Sequence, residues 1–142
     1  MGRTRGLNTI SRNMQIYSQK LKSDLTLAVF TATTNAEGKA KNRVPVDTGK
    51  LKQSIYHKMD YSKSIGEVGA TEDYAPYIEF GTGGNVAIPN GFDELAGKFK
   101  GKGKRKINRK AQPFLIPAFL EETQNLKIET KRIVEKYSGR NR

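Results

Sequence analysis

The chain has 142 residues, of which 35% are hydrophobic, and it carries a formal charge of +12 at pH 7. A chain of this length has room for one domain with a modest core, and its charge predicts attraction to polyanions such as nucleic acid or an acidic protein surface. The lack of cysteine excludes disulfides, zinc–thiolate sites and thiol nucleophiles, and the lack of any run of eighteen apolar residues argues against a membrane span or a secretion signal.

The first part of the chain predicts one long amphipathic helix, from about residue 8 to 43. Such a helix would be roughly 54 Å long at 1.5 Å per residue, which exceeds the width of a small domain. We therefore expect part of it to project or to pack on a neighbouring subunit. Poor helix formers within 31–38 predict a bend or break there, and Pro45 predicts the helix end. The stripe that predicts the helix has steps of three or four residues, at Ile10, Met14, Tyr17, Leu21, Leu25, Ala28, Ala32, Ala36 and Ala40.

The triplet Asp47-Thr48-Gly49 predicts a turn into a short helix, with Asp47 or Thr48 accepting bonds from free backbone N–H groups. The same triplet occurs in aspartic proteases, where paired carboxylates activate water. We disfavour that interpretation because a single triplet needs a second copy from a dimer. In addition, residues 41–45 read Lys-Asn-Arg-Val-Pro where an apolar strand should precede the triplet.

A hairpin is predicted after this turn. Alternating side chains indicate strands over 54–60 and 64–70, joined in antiparallel fashion by the short connection 61–63. Because two strands are not stable alone in water, we expect the long helix across one face and a third strand around 86–88.

Residues 73–80 predict a short helix that glycines at 81–84 close. Its aromatic residues Tyr74, Tyr77 and Phe80 favour simple core packing over the alternative, an aromatic patch at a subunit seam. The glycines at 81–84 lack the spacing and the preceding strand of a phosphate-binding loop.

No catalytic, metal or cofactor site is expected. His57 is the single histidine, and no neighbouring acid of known geometry accompanies it in the predicted strand, so neither a nucleophile–base pair nor a metal site can be assigned.

Residues 84–111 predict a basic, glycine-rich loop that is mobile unless a partner orders it. Its cations are the candidate polyanion contacts: Lys98, Lys100, Lys102, Lys104, Arg105, Lys106, Arg109 and Lys110.

Two prolines at 113 and 117 mark the entrance to a C-terminal amphipathic helix that reaches about residue 137. We expect a single α+β domain over 1–142, in which a long N-terminal helix and a C-terminal helix pack on a small antiparallel β-sheet. Residues 1–7 would form an N-terminal arm and 138–142 a disordered tail.

Three short blocks in fixed order give the chain a family resemblance. They span 45–55, 74–83 and 112–119, with their defining positions at Pro45, Asp47, Thr48, Gly49, Tyr74, Tyr77, Glu79, Phe80, Gly81, Thr82, Pro113, Phe114 and Pro117. In combination they resemble the neck and tail-completion proteins, or minor tail components, of long-tailed double-stranded DNA phages. The basic insertion at 91–110 has no fixed counterpart in that pattern.

The resemblance implies a structural virion protein, made in the host cytoplasm, that turns over no substrate. Such a protein would form a ring, expected to be a hexamer, that completes the proximal end of the tail and joins it to the DNA-filled head. Its partners would be copies of itself, head-closure and tail-terminator or tail-tube proteins, and the packaged DNA end, with no membrane. The alternative is a basic nucleic-acid-binding protein, which would explain the charge but not the three blocks.

Overall fold

The computed structural model describes residues 3–45, 49–83, 86–97 and 109–139. Helix α1 (Arg3–Arg43) is followed by α2 (Lys50–Ser54), strands β1 (Ile55–Asp60) and β2 (Ile65–Ala70), and helices α3 (Ala75–Phe80), α4 (Asp93–Gly97) and α5 (Leu115–Tyr137). This arrangement confirms the α+β class, with long N-terminal and C-terminal helices and a small antiparallel sheet.

Helix α1 is continuous over 41 residues, or about 61 Å, so of the predicted bend or break within 31–38 the break is wrong. The threonine hydroxyls there donate to carbonyls one turn back, within the helix. Thr33 Oγ1 bonds Val29 O at 2.7 Å, and Thr34 Oγ1 bonds Phe30 O at 2.9 Å. Packing also holds this part of the helix, since Ala36 is 3% exposed.

The two long helices run antiparallel. Near the start of α5, Glu122 pairs with Lys39 of α1 at 2.5 Å, and near its end Tyr137 donates to Asp24 at 2.8 Å. The ring of Tyr137 also meets the edge of Tyr17, with centroids 5.1 Å apart. Helix α5 therefore covers α1 only from about residue 17 onward.

Residues 6–20 of α1, which we call the projecting segment, are all exposed. They carry large apolar side chains into solvent: Leu7 is 67% exposed, Ile10 57% and Met14 67%. The predicted apolar stripe is thus buried in the second half of α1, at Ala28, Ala36 and Ala40, and uncovered in the first half. Helix α1 also begins at Arg3, inside the predicted N-terminal arm.

The hairpin prediction is confirmed. Strands β1 and β2 pair in antiparallel register, from Ile55 opposite Ala70 to Asp60 opposite Ile65. The hairpin packs on α1, where Ser64 and Thr26 share a hydrogen bond of 2.6 Å.

The third strand predicted at 86–88 is wrong, because the described residues there form no strand and the sheet has two strands. Val86 and Ile88 instead pack against a small cluster that contains Phe80 and Ile116. Helix α4 lies within the predicted loop 84–111, so part of that loop is helical.

Candidate assembly site

The three sequence blocks meet in one hydrophobic core. Leu51 and Ile55 come from the first block, Ala75 and Ile78 from the second, and Phe114 and Ala118 from the third, all packed with Ala40 and Val44 at the end of α1. Phe114 is 1% exposed and Ile55 2%. The blocks therefore lie at the junction of α1, α2, α3 and α5.

Glu79 caps helix α5 from a different element. Its carboxylate accepts the backbone N–H groups of Phe114 at 2.8 Å, Leu115 at 2.9 Å and Ile116 at 3.0 Å. Helix N-termini leave such donors without intrahelical partners, and a carboxylate also complements the positive end of the helix dipole. The side chain of Phe114 at the N-cap position cannot supply an acceptor, so the buried Glu79 does so.

Backbone hydrogen bonds extend this junction. Gln112 N donates to Ile78 O at 2.8 Å and Thr82 N donates to Arg109 O at 2.9 Å. In return, the Thr82 hydroxyl accepts from Arg109 N at 2.8 Å. The chain entering α5 is thus held along the end of α3.

The end of α3 requires glycine. Gly81 is buried and has φ of 76°, a conformation that costs energy for any residue with a Cβ. The turn aims the chain away from α3 just after Glu79 and Phe80.

The remaining positions of the blocks differ in exposure. Asp47 and Thr48 lie outside the described residues, so their predicted capping role stays a prediction; Gly49, with φ of 45°, is the N-cap of α2. Phe80 is buried, Pro113 is exposed, and Pro45, Tyr74, Tyr77, Thr82 and Pro117 are half-buried.

Only two of the candidate polyanion contacts can be placed. Arg109 and Lys110 are exposed on the segment that enters α5. The other six lie outside the described residues: Lys98, Lys100, Lys102, Lys104, Arg105 and Lys106. The mobility of their loop therefore stays a prediction.

Ion pairs fasten α1 to its neighbours. Glu121 pairs with Lys39 and with Arg43, the latter at 2.7 Å, and these bonds hold the pKa of Glu121 below its ordinary value. Glu37 pairs with Lys41 at 2.5 Å and with His57 of β1, which lowers the pKa of Glu37, chiefly through Lys41. The acid beside His57 thus comes from α1, twenty positions earlier, which the strand pattern alone could not indicate.

These contacts fasten elements to one another. In the described part of the chain, no group of three His, Cys, Asp or Glu side chains could hold a metal ion. No described helix is long and apolar enough to span a membrane. The contacts of this site hold α3 and α5 in position against α1.

Sequence reasoning placed Glu79 in a motif but assigned it no role. Capping is normally read from a Ser, Thr, Asp or Asn next to the helix start, whereas Glu79 lies 36 positions before Leu115. The sequence did indicate that the cap of α5 is not local, since residues 111–114 contain none of those four capping residues.

The family model described as "Bacteriophage HK97-gp10, putative tail-component" matches residues 8–81, which is 74 of the 142 residues. Neither the curated proteins nor the solved structures gave a match. The matched region contains Glu79 and ends at Gly81, so the third block lies beyond it but is joined to it by the Glu79 cap. The chain belongs to the HK97-gp10-like family of phage tail components.

Proposed function

We propose that this tail component works in the phage neck. Copies of the chain would form a ring, expected to be a hexamer, that completes the proximal end of the tail and joins it to the DNA-filled head. Its neighbours there would be head-closure and tail-terminator or tail-tube proteins. Family membership supports a place in the tail.

The observation that supports a ring is the exposed apolar surface of the projecting segment. Leu7, Ile10 and Met14 are more than half exposed, although each would gain free energy by burial. Isolated helices of this length are marginal in water unless an apolar face packs on something. A repeated neighbour in a closed ring would supply that surface to every copy.

The proposed role is structural and involves no turnover. In support, the motif residues that can be placed fill a core or cap a helix, as Phe114 and Glu79 do. We infer that the motif holds the fold and the subunit seams rather than a substrate.

Sedimentation tests the ring directly. We expect the isolated chain to be monomeric or weakly associated, and to assemble as a ring when tails lacking it are added. Phage without a functional copy should accumulate filled heads and unjoined tails, which electron microscopy would count. A compact, tight monomer that never joins tails would contradict the proposal.

The charge of +12 supports a second candidate function, nucleic-acid binding. If that were the main role, affinity for duplex DNA would fall steeply with salt, with a log–log slope of about −0.9 per phosphate contact. Strong DNA binding together with normal head–tail joining in phage lacking the protein would favour it over the neck.

A further inference from the structure

Helices α1 and α5 leave an open groove on one side of their contact. It has a volume of about 460 Å³ and is lined by α1 between Asp24 and Asn35 and by α5 between Glu122 and Lys136. Its apolar lining comes from Leu27, Ala28, Ala32, Leu126 and Ile133. Leu27 remains 61% exposed, so the groove is apolar and uncovered within one copy. We call it the α1–α5 groove.

The projecting segment has the pattern of a helix that fits such a groove. Leu7, Ile10, Met14 and Tyr17 follow one another at steps of three, four and three residues, which is the spacing of a coiled-coil seam. Because α1 is one continuous helix, the projecting segment cannot fold back onto the groove of its own copy.

The two surfaces match in length. Leu7 to Tyr17 spans ten residues of helix, or about 15 Å, and the α1 side of the groove, from Asp24 to Asn35, spans eleven, or about 16 Å. A third helix laid along two antiparallel helices would bury the seam at Leu7, Ile10 and Met14, while Tyr17 already packs on Tyr137 of its own copy.

Charge favours the groove over a second projecting segment as the partner. The projecting segment, residues 6–20, contains the cations Arg12 and Lys20 and no Asp or Glu, so two such segments would repel one another. The groove has no such excess of cations. Its lining contains Asp24, Glu122 and Glu129, and these carboxylates pair with Lys136, Lys39 and Arg132 respectively.

We propose that the projecting segment of one copy lies in the α1–α5 groove of the next copy. This inference rests on the proposed ring and names the contact that builds it. Each copy would give one segment and accept one, a head-to-tail contact that closes when the rotation between copies completes a circle.

The chain contains no cysteine, so paired cysteines can report the contact without background. We would introduce Met14→Cys with Leu27→Cys, since both native side chains are more than 60% exposed and their loss should not disturb the fold. Within one copy the two positions lie about 20 Å apart along α1, too far for a disulfide. Ile16→Cys with Leu27→Cys is the matched control, because Ile16 lies two residues on and so on nearly the opposite face.

We expect tails assembled with the Met14/Leu27 variant, after mild oxidation, to give a ladder of crosslinked multimers that ends at the ring number. The ladder should be at least tenfold stronger than in the Ile16/Leu27 control. A second pair, Ile10→Cys with Leu126→Cys, repeats the test. If reduced tails show a ring but neither pair gives a ladder after oxidation, the groove contact is wrong and the proposed ring is unaffected. The absence of any ring would instead reject the proposed function.

Two other outcomes would assign the projecting segment differently. Efficient dimers of Met14→Cys alone would show that projecting segments pair with one another. Binding of the full chain to anionic phospholipid vesicles, lost in Met14→Lys, with no ladder in tails, would assign the segment to a lipid surface. Either result would contradict the groove contact.

Discussion

Glu79 and Phe114, 35 positions apart, are joined inside the core by a hydrogen bond of 2.8 Å from the backbone N–H of Phe114 to the carboxylate of Glu79. The same carboxylate accepts the next two N–H groups, so one side chain from α3 satisfies the first turn of α5. This relationship couples the second and third sequence blocks and fixes where the closing helix begins.

Glu79→Ala should lower the free energy of unfolding by about 3 kcal/mol, because it leaves buried backbone donors unpaired where they had a charged acceptor. Glu79→Gln should cost less, since its amide keeps one acceptor oxygen. Urea unfolding would measure both, with Glu94→Gln as a control at an exposed carboxylate. A loss below about 0.5 kcal/mol for Glu79→Ala would show that α5 does not depend on the cap.

Gly66→Ala should destabilise the protein by about 2 kcal/mol through overpacking between β2 and α1. An added Cβ would lie 1.9 Å from Thr33 Oγ1 and 3.0 Å from Thr33 Cβ, and rotating the hydroxyl away would not relieve the second contact. The double variant with Thr33→Ala removes the Oγ1 contact and keeps the Cβ contact, so it should recover only part of the loss, as a thermal or urea unfolding cycle would show.

Gly38→Ala is the matched comparison for Gly66→Ala. No atom outside the helix backbone lies within 4 Å of the added Cβ, so the higher helix propensity of alanine should raise stability by up to about 1 kcal/mol. If the two substitutions changed the free energy of unfolding equally, β2 would be able to move away from α1 at little cost.

Because of Glu37, the stability of the protein should depend on pH in the acid range. Its pKa in the folded protein lies below the ordinary 4.5 because of bonds from Lys41, and then from His57. A depressed pKa means that the stabilisation is complete above about 4.5 and is lost as pH falls through the folded value. The stability difference between the native chain and Glu37→Gln should therefore be large near pH 6 and shrink towards about pH 3. A difference that does not change with pH would contradict this, and Glu94→Gln controls for general charge effects.

Changing Lys102, Lys104, Arg105 and Lys106 to Ser should impair head–tail joining. So dense a run of cations, with little apolar surface beside it, favours contact with a negative partner. We favour an acidic protein face over the packaged DNA end, because a passing genome must not be held tightly. Joining should then fall while DNA retention in joined particles is unchanged. A matched control changes four exposed lysines outside the blocks and the projecting segment, Lys22, Lys63, Lys127 and Lys131. Normal joining and virion stability would show that the run is only solvated charge.

Asp47→Ala should cost about 1 kcal/mol of stability if Asp47 caps the turn into α2, as the sequence predicts. Thermal unfolding would measure the cost. Loss of a measurable peptidase activity with an unchanged melting temperature would instead support the aspartic protease interpretation.

The sequence by itself determined the local elements. The steps of three and four along α1, the alternation in β1 and β2, and the prolines at the entrance of α5 are properties of a few neighbouring residues, and each produced the element predicted. The block at 45–55 and most of the block at 74–83 lie within the range that the family model matches.

Only the tertiary structure decided which faces are covered and which distant groups meet. The stripe on α1 keeps the same spacing throughout, yet it is buried beside α5 and exposed in the projecting segment, because α5 ends near Tyr17. The threonines at 31–38 remain helical because their neighbours are packed, and no local preference records that packing. The acceptor for the first turn of α5 comes from Glu79, whose partners are set by how the chain folds back and not by their spacing along it.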